Sequence, residues 1–441
     1  MFLLSKYFLI LIFFIIQGCG TLDYFSSDEE MVLEGKRLDI VRLKNALIVD
    51  EDAKNTPIIL EDKFLNLSWE QLGDSSSHSA GNFFINSEPK FFWKERIGDG
   101  EGSYNKIFSQ PVGNENSLFV LDAEGLLVAL NLEDGEVIWE TETISDSESL
   151  NSNIDGGLAL KDDNLIVSNS YGDVINLNSK NGEVIWSINN NKPAQGSPAI
   201  YENNIYQMTI HNEIFVYNIA TGNEVWRYTA SFVSAISNGG TSPAINEKVV
   251  IFPSNTGELI SLNKSTGAVI WNTNLVIEGV ISGALELTDI DSGPVMHNDL
   301  IFASSMSGVF AAIDLLSGAI IWDVIIKTSN TPIINGNSVF ILSDDGKLIN
   351  LVRNSGKIRW INNLRNIVDS ESDNEKICSG PLLASDVLWI VCNDKKVLKI
   401  SSVDGSVKDI FTIRSPSRIA PIVLKDTLIF YTNEAEVITY R

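Results

Sequence analysis

Gly257-Glu-Leu-Ile-Ser-Leu-Asn-Lys-Ser-Thr-Gly267-Ala-Val-Ile-Trp271 holds two short apolar runs, a glycine turn between them, and a tryptophan four residues after the second glycine. The pattern recurs with Gly125, Gly135 and Trp139; with Gly172, Gly182 and Trp186; with Gly308, Gly318 and Trp322; and with Gly346, Gly356 and Trp360. In another copy Asn212 replaces the first glycine ahead of Gly222 and Trp226. A worn copy reads Lys395, Gly405 and Asp409. Upstream of each copy a proline leads through an apolar run and a polar turn into a second apolar run, as in Pro243-Ala-Ile-Asn-Glu-Lys-Val-Val-Ile-Phe252. These starts fall at Pro111, Gly157 (the exception), Pro198, Pro243, Pro294, Pro332, Pro381 and Pro421, a pitch of about 44 residues.

Each period reads as four short strands. Proline suits a strand start because it has no N–H to give a ladder, and glycine suits the turns because it accepts positive φ. One such sheet cannot cover both of its faces, so neighbouring sheets must stack around an axis. The tryptophans are the natural wedges: Trp139, Trp186, Trp226, Trp271, Trp322 and Trp360, with Trp93 beside them, are expected between blades. After Pro421 the chain supplies three strands and stops, whereas Phe91-Phe-Trp93-Lys-Glu-Arg-Ile97 is a spare strand ahead of the first proline. Joining them completes a last blade and removes the open edges. The expected fold is therefore all-β: an eight-bladed β-propeller of four-stranded antiparallel blades over 91–441, closed by its N-terminal strand.

Ahead of the propeller, Lys6 and the apolar run from Tyr7 to Ile16 read as a signal peptide over 1–18, too short for a comfortable membrane span. Gln17-Gly18-Cys19 resembles the bacterial lipoprotein signal, with Ile16 where leucine is commoner. That resemblance implies that Cys19 is lipidated and becomes the new N-terminus, and Gly20, not aspartate, after it implies the outer membrane, on its periplasmic face. Residues 19–60 are charge-rich and aperiodic and read as a tether with a short strand near Leu47–Val49. Residues 61–90, polar and turn-rich, read as an extension packed on the propeller.

The formal net charge is −25, from 32 Lys plus Arg against 57 Asp plus Glu. Such a balance argues against nucleic acid and against a basic contact with anionic lipid. With Cys19 assigned to lipid, Cys378 and Cys392 remain. They flank a hairpin whose turn lies at Ala384-Ser-Asp386, so they face one another across two antiparallel strands. An oxidising compartment favours a disulfide there; the alternative is two buried thiols. His78, His211 and His297 lie away from the cysteines, so neither a metal set nor a Ser-His-Asp triad is indicated, and His211 and His297 read as exposed loop residues. No Gly-rich phosphate loop and no HExxH motif occurs. No catalytic residue, metal or cofactor is expected.

The Gly…Gly…Trp blades resemble the repeats of the quinoprotein family, whose propellers can hold pyrroloquinoline quinone. Adjacent cysteines of the kind those alcohol dehydrogenases carry are absent. A small quinoprotein oxidoreductase is therefore one rival reading, and a binding module for periplasmic glycan or another envelope protein is a second. The lipoprotein signal, the tether, Trp93-Lys-Glu-Arg-Ile-Gly-Asp-Gly100, the eight blades and the terminal Val437-Ile-Thr-Tyr-Arg441 resemble the BamB family more closely. Its members are propeller lipoproteins of the machine that folds β-barrels into the bacterial outer membrane. The resemblance implies a non-catalytic scaffold that partners BamA and the other subunits of that complex, nascent outer-membrane proteins, and outer-membrane lipid through its anchor.

Leu287-Thr-Asp289-Ile-Asp291-Ser-Gly-Pro294 resembles the family's Ser-Asp-Val-Asp-x-x-Pro segment, whose aspartates help bind the POTRA region of BamA. Residues two apart on an extended segment point the same way, so Asp289 and Asp291 are expected to accept an Arg or Lys together. The bland alternative is an Asx-turn or a strand entry. In the neighbouring loop, Ala235-Ile236-Ser-Asn238 stands where relatives have Leu-Ser-Leu-Arg. Ile236 retains an apolar contact, and Asn238 takes the place of the arginine.

Overall fold

The computed structural model describes residues 47–144, 155–231, 240–276, 288–367 and 377–441. Eight four-stranded antiparallel sheets stand in a ring. Blade 1 runs from Val112–Gly113 through Ser117–Leu121 and Leu126–Asn131 to Val137–Glu142. Blades 2 to 7 repeat that order, each from its innermost to its outermost strand. In blade 8, Ile422–Leu424, Thr427–Tyr431 and Glu436–Tyr440 are followed in space by Phe91–Arg96, which pairs antiparallel with Glu436–Tyr440 at Lys94 to Ile438 and Arg96 to Glu436. The ring is closed by its own N-terminal strand.

The strands differ from expectation in length. The outermost strand of blade 4 continues past Trp271 to Asn274, and the innermost strand of blade 7 begins at Cys378, ahead of Pro381. The middle strands are buried on both faces because flanking blades cover them, as in Leu126–Asn131 and Glu258–Asn263. Where the repeat loses its first glycine, the backbone keeps the glycine conformation: Asn212 has φ 60° and Lys395 φ 71°.

Each of the seven tryptophans of the series lies on the second glycine of the next blade. A Cβ added at Gly267, where φ is +69°, would sit 2.6 Å from the Trp226 ring; only a glycine admits both that φ and that approach. The relation holds for Trp93 on Gly135, Trp139 on Gly182, Trp186 on Gly222, Trp271 on Gly318, Trp322 on Gly356 and Trp360 on Gly405. The indole N–H also donates to a main-chain carbonyl of the next blade, from Trp93 to Leu132, Trp139 to Ser179, Trp186 to Ile219, Trp226 to Lys264, Trp271 to Leu315 and Trp322 to Arg353, at 2.8–3.1 Å. Trp360 lacks this bond.

The N-terminal part departs from the reading of a tether to residue 60. Residues 47–60 already pack on blade 6. No strand forms near Leu47–Val49, and a single helical turn, Glu51–Lys54, follows. From there the chain enters the ring and closes one end of its axial channel. Five inner strands offer it the N–H of the same structural position. Gly113 donates to the Trp69 carbonyl, Leu160 to that of Glu70, Ile245 to that of Ser76 and Met296 to that of Ser77, while Ile200 donates to the Gln71 side chain. Blade 6 receives Glu61 N–H at Asn335 Oδ1 (2.8 Å), blade 7 pairs Leu383 and Ser385 with Phe83, and Lys425 of blade 8 donates to the Asn66 carbonyl. All eight blades are thus hydrogen-bonded to one aperiodic segment. Its Trp69, Phe83 and Ile85 are buried in the largest apolar cluster. This satisfies inner-edge groups that an open channel would leave to water.

Candidate functional site

In an antiparallel blade the connections from outermost to innermost strand gather on one face, and the turns between first and second strands on the other. The axial plug, residues 59–85, occupies the turn face. The loop face keeps an axial cavity of about 450 Å³, floored by Leu72 of the plug and walled by Asp291, Asn330, Thr331, Asp344 and Arg418.

Asp289 and Asp291 are not presented alike. Asp289 is 1% exposed, its carbonyl accepts from Met306 N–H, and Ile290 packs in the apolar cluster of blades 4 and 5. Asp291 is half-buried and faces the cavity. The expectation of two carboxylates offered side by side at the surface is corrected accordingly, because the segment is not a regular strand and buries the consecutive residues Asp289 and Ile290 while Asp291 stays half-buried. Ile236 and Asn238 lie outside the described residues, as does Cys19. Cys378 faces Cys392 in the first two strands of blade 7, and their sulfurs are bonded.

The cavity is polar and its groups are engaged. Arg418 Nε lies 2.8 Å from Glu101 Oε1. Asp344 Oδ1 accepts from Ser329 N–H (2.8 Å) and its hydroxyl (2.9 Å). His78, on the plug and 1% exposed, directs Nδ1 at the Pro294 carbonyl, 3.0 Å away, so Nδ1 carries the proton. Burial pushes its pKa down to about 4, and the ring stays neutral in ordinary buffers. His297 is not an exposed loop residue. Its Nδ1 is 3.1 Å from Ser79 Oγ, and burial lowers its pKa. On the turn face, burial raises the Asp74 carboxyl to about 7 and also raises Glu70.

A tricarboxylic quinone needs cations around it. Here the arginine in the cavity wall is paired to Glu101, two carboxylates share the space, and the plug fills the rest of the channel. Among the described residues no group of three or more His, Cys, Asp or Glu is placed to hold a metal ion. The residues do not fit that cofactor, and no step is derived through it. Sequence reasoning placed residues 61–90 as an extension packed on the propeller but did not read that this segment plugs the axial channel. The plug's apolar anchors Trp69, Phe83 and Ile85 follow no strand or helix period, so no local signal announces them.

Comparison with known proteins agrees with this architecture. The chain is 23% identical to the outer membrane protein assembly factor BamB of Yersinia pestis over 80% of its own length and 88% of that protein. The crystal structure of BamB from Moraxella catarrhalis superposes with a TM-score of 0.69 at 17% identity, covering 80% of this chain and all of that one. A quinohemoprotein alcohol dehydrogenase from Comamonas testosteroni gives 0.68 at 12% identity, covering 85% of this chain and 80% of that one, which shows the shared propeller alone. The family model for outer membrane protein assembly factor BamB matches residues 123–362, more than half of the 441, and the chain belongs to the BamB family.

Proposed function

We propose that this protein is a non-catalytic scaffold of outer-membrane β-barrel assembly, held to the outer membrane by a lipidated Cys19 and docking through its loop face on the POTRA region of BamA. In this reading residues 1–18 are a cleaved signal peptide and the tether runs from Cys19 to the segment 47–60 packed on blade 6. Partners are BamA, the other subunits of the complex and nascent barrel proteins.

The observation that carries the reading is the placement of Asp291. It lines the loop-face cavity, half-buried, as does Asp344, while the plug takes the opposite end of the channel. A partner's Arg or Lys entering from the loop face would meet Asp291 and Asp344 in the cavity wall. Asp289 serves by holding the segment in place.

Affinity purification of the tagged protein from detergent-solubilised membranes tests this. Wild type is expected to bring down BamA, and Asp291→Ala to lose it without a loss of thermal stability. Asp289→Ala is expected to lower both. Wild type that brings down no barrel-assembly subunit overturns the reading. Labelled palmitate incorporated by wild type and not by Cys19→Ser checks the anchor.

A further inference from the structure

On the turn face the plug is inverted in polarity. Along 64–67 the buried side chain is Asn66, 6% exposed, whose Nδ2 donates to Asp74 Oδ1 at 2.9 Å and to the Val423 carbonyl at 3.0 Å. Its apolar neighbours Phe64, Leu65 and Leu67 are 47%, 49% and 50% exposed. The returning stretch repeats the inversion. Asn82 is 1% exposed and donates to Asp386 Oδ1 of blade 7 at 2.7 Å, whereas Phe84 is 41% exposed. The two stretches are joined: Phe84 N–H donates to the Phe64 carbonyl at 2.7 Å, and Phe64 N–H to that of Asn82 at 3.1 Å. Ser402 Oγ donates to the Asp386 carbonyl (2.6 Å), which brings the turn that carries Val403, 67% exposed, to the edge of the same patch.

Single apolar side chains are ordinary on a surface, but a contiguous group marks a contact, and asparagines buried beneath exposed Phe and Leu reverse what folding alone favours. The course of the chain says which contact. Asp50 N–H donates to the Ile358 carbonyl (2.9 Å) at the turn-face end of the outermost strand of blade 6, and Ile59 exchanges main-chain bonds with Asn337 in that blade's first turn. The chain therefore crosses the turn face of blade 6 on its way to the patch. Residues 20–46, which lead from Leu47 back to Cys19, span at most roughly 95 Å. An anchor at Cys19 keeps this surface near its leaflet, and a tethered surface needs only a weak affinity to stay bound. The lysines beside the patch are paired, Lys63 with Asp386 at 2.8 Å and Lys425 with Glu133 at 3.3 Å, so its offer is apolar contact and not charge.

We infer that the patch of Phe64, Leu65, Leu67 and Phe84 is a lipid-contact surface, which inserts shallowly among the headgroups of the leaflet that holds the acyl anchor. The propeller then stands with its turn face on the membrane and its loop face toward the periplasm. Such a contact scales with the apolar area it buries. The formal net charge of −25 makes it selective for zwitterionic over anionic lipid. The inference rests on the scaffold reading for the anchor at Cys19.

The test uses the mature chain with a hexahistidine tag in place of Cys19, held on phosphatidylcholine vesicles by a nickel-chelating lipid, so that acylation is not required. With Cys378 and Cys392 bonded to each other, a thiol-reactive, environment-sensitive fluorophore goes only to an introduced cysteine: Leu67→Cys in the patch, or Glu124→Cys on the loop face as control. On vesicles the Leu67 probe is expected to shift to the blue and to be quenched at least about two-fold by a nitroxide on the lipid chain. The Glu124 probe is expected to do neither. Leu65→Asp, and separately Phe84→Ser, are expected to return the Leu67 probe to water with thermal stability and BamA copurification unchanged. Replacing part of the phosphatidylcholine by phosphatidylglycerol is expected to weaken the quenching. A Leu67 probe that stays aqueous on vesicles, equal quenching at the two sites, or quenching that survives both substitutions overturns the inference. Quenching that strengthens with phosphatidylglycerol assigns the contact to charge and overturns it as well. A probe that is aqueous on vesicles but shielded by added barrel-assembly complex assigns the patch to a protein and overturns it too. BamA copurification and palmitate incorporation read the scaffold reading separately, so the two can fail independently.

Discussion

The ring and its plug hold the same eight blades together in opposite ways. At the blade junctions one device is repeated, a tryptophan laid on the next blade's glycine, and each copy joins two neighbours only. The plug is used once and joins all eight, through contacts that share no sequence pattern. A repeat array gains stability from nearest-neighbour interfaces, whereas a segment bonded to every repeat couples them globally. The difference implies that damage to a junction stays local and damage to the plug spreads.

The sharpest break is at a junction. Trp226→Ala removes a 9%-exposed indole and its bond to the Lys264 carbonyl, and should cost about 3–5 kcal/mol. Gly267→Ala attacks the same lock from the other side, through a forbidden φ and a clash with the ring, at about 2–4 kcal/mol. In hydrogen exchange both variants should lose protection between blades 3 and 4 and keep it elsewhere. Protection lost around the whole ring would erase the distinction.

Trp69→Ala in the plug comes next, at about 3 kcal/mol. It deletes a 2%-exposed side chain that bonds Gln110 Oε1 at 3.1 Å and packs on Phe83. Its exchange signature should be distributed, with faster exchange at the amides of Gly113, Leu160, Ile200, Ile245 and Met296. Loss confined to blade 1 would show that the plug acts as separate local contacts.

A smaller effect distinguishes the plug by its chemistry. Asp74, which accepts from Asn66 Nδ2 at 2.9 Å, has a folded pKa of about 7 against an ordinary 3.8. The folded state then holds a proton that the unfolded chain has lost, so stability falls as pH rises from about 4 through 7. Above that window the carboxylate stays buried beside Glu70 at a cost. Asp74→Asn should therefore be the more stable protein by about 1–2 kcal/mol at pH 8, with the gain vanishing by pH 4. Thermal melts at the two pH values check the sign; equal gains at both would remove the ionisation from the account.

The same contrast explains what the sequence disclosed. The blades were legible because they recur: glycine spacing, proline starts and the tryptophan series give strand order, blade number and the closing strand Phe91–Arg96. The plug's packing on the propeller was legible but its path through the axis was not, because a segment with no strand or helix period gives no amphipathic signal, and Phe83 pairs its main chain with Leu383 and Ser385 near the other end of the chain. Of the candidate site, the segment around Asp291 was singled out by its motif. The unlike burial of Asp289 and Asp291 was missed, because the rule that residues two apart share a face assumes a regular strand, and 288–291 lies in none.

The smallest prediction concerns the junction that lacks its tryptophan. Asp409 stands where a tryptophan is due, at the junction of blade 7 with blade 8. In blade 8 the third strand is Glu436–Tyr440 and the fourth is Phe91–Arg96 from the far side of the sequence, so no hairpin and no glycine joins them; Lys90 and Arg441 pair their main chains across the gap instead. A tryptophan at 409 has nothing to lie on. The junction is filled by Phe411, whose ring centroid is 5.0 Å from Tyr440 and 6.3 Å from Phe430. Asp409→Trp, a return to the repeat's own consensus, should therefore change stability by no more than about 0.5 kcal/mol, while Phe411→Ala at the same seam should cost about 2–3 kcal/mol. A clear gain from Asp409→Trp would mean that the lock needs no glycine partner, and the account of the other seven junctions would have to change with it.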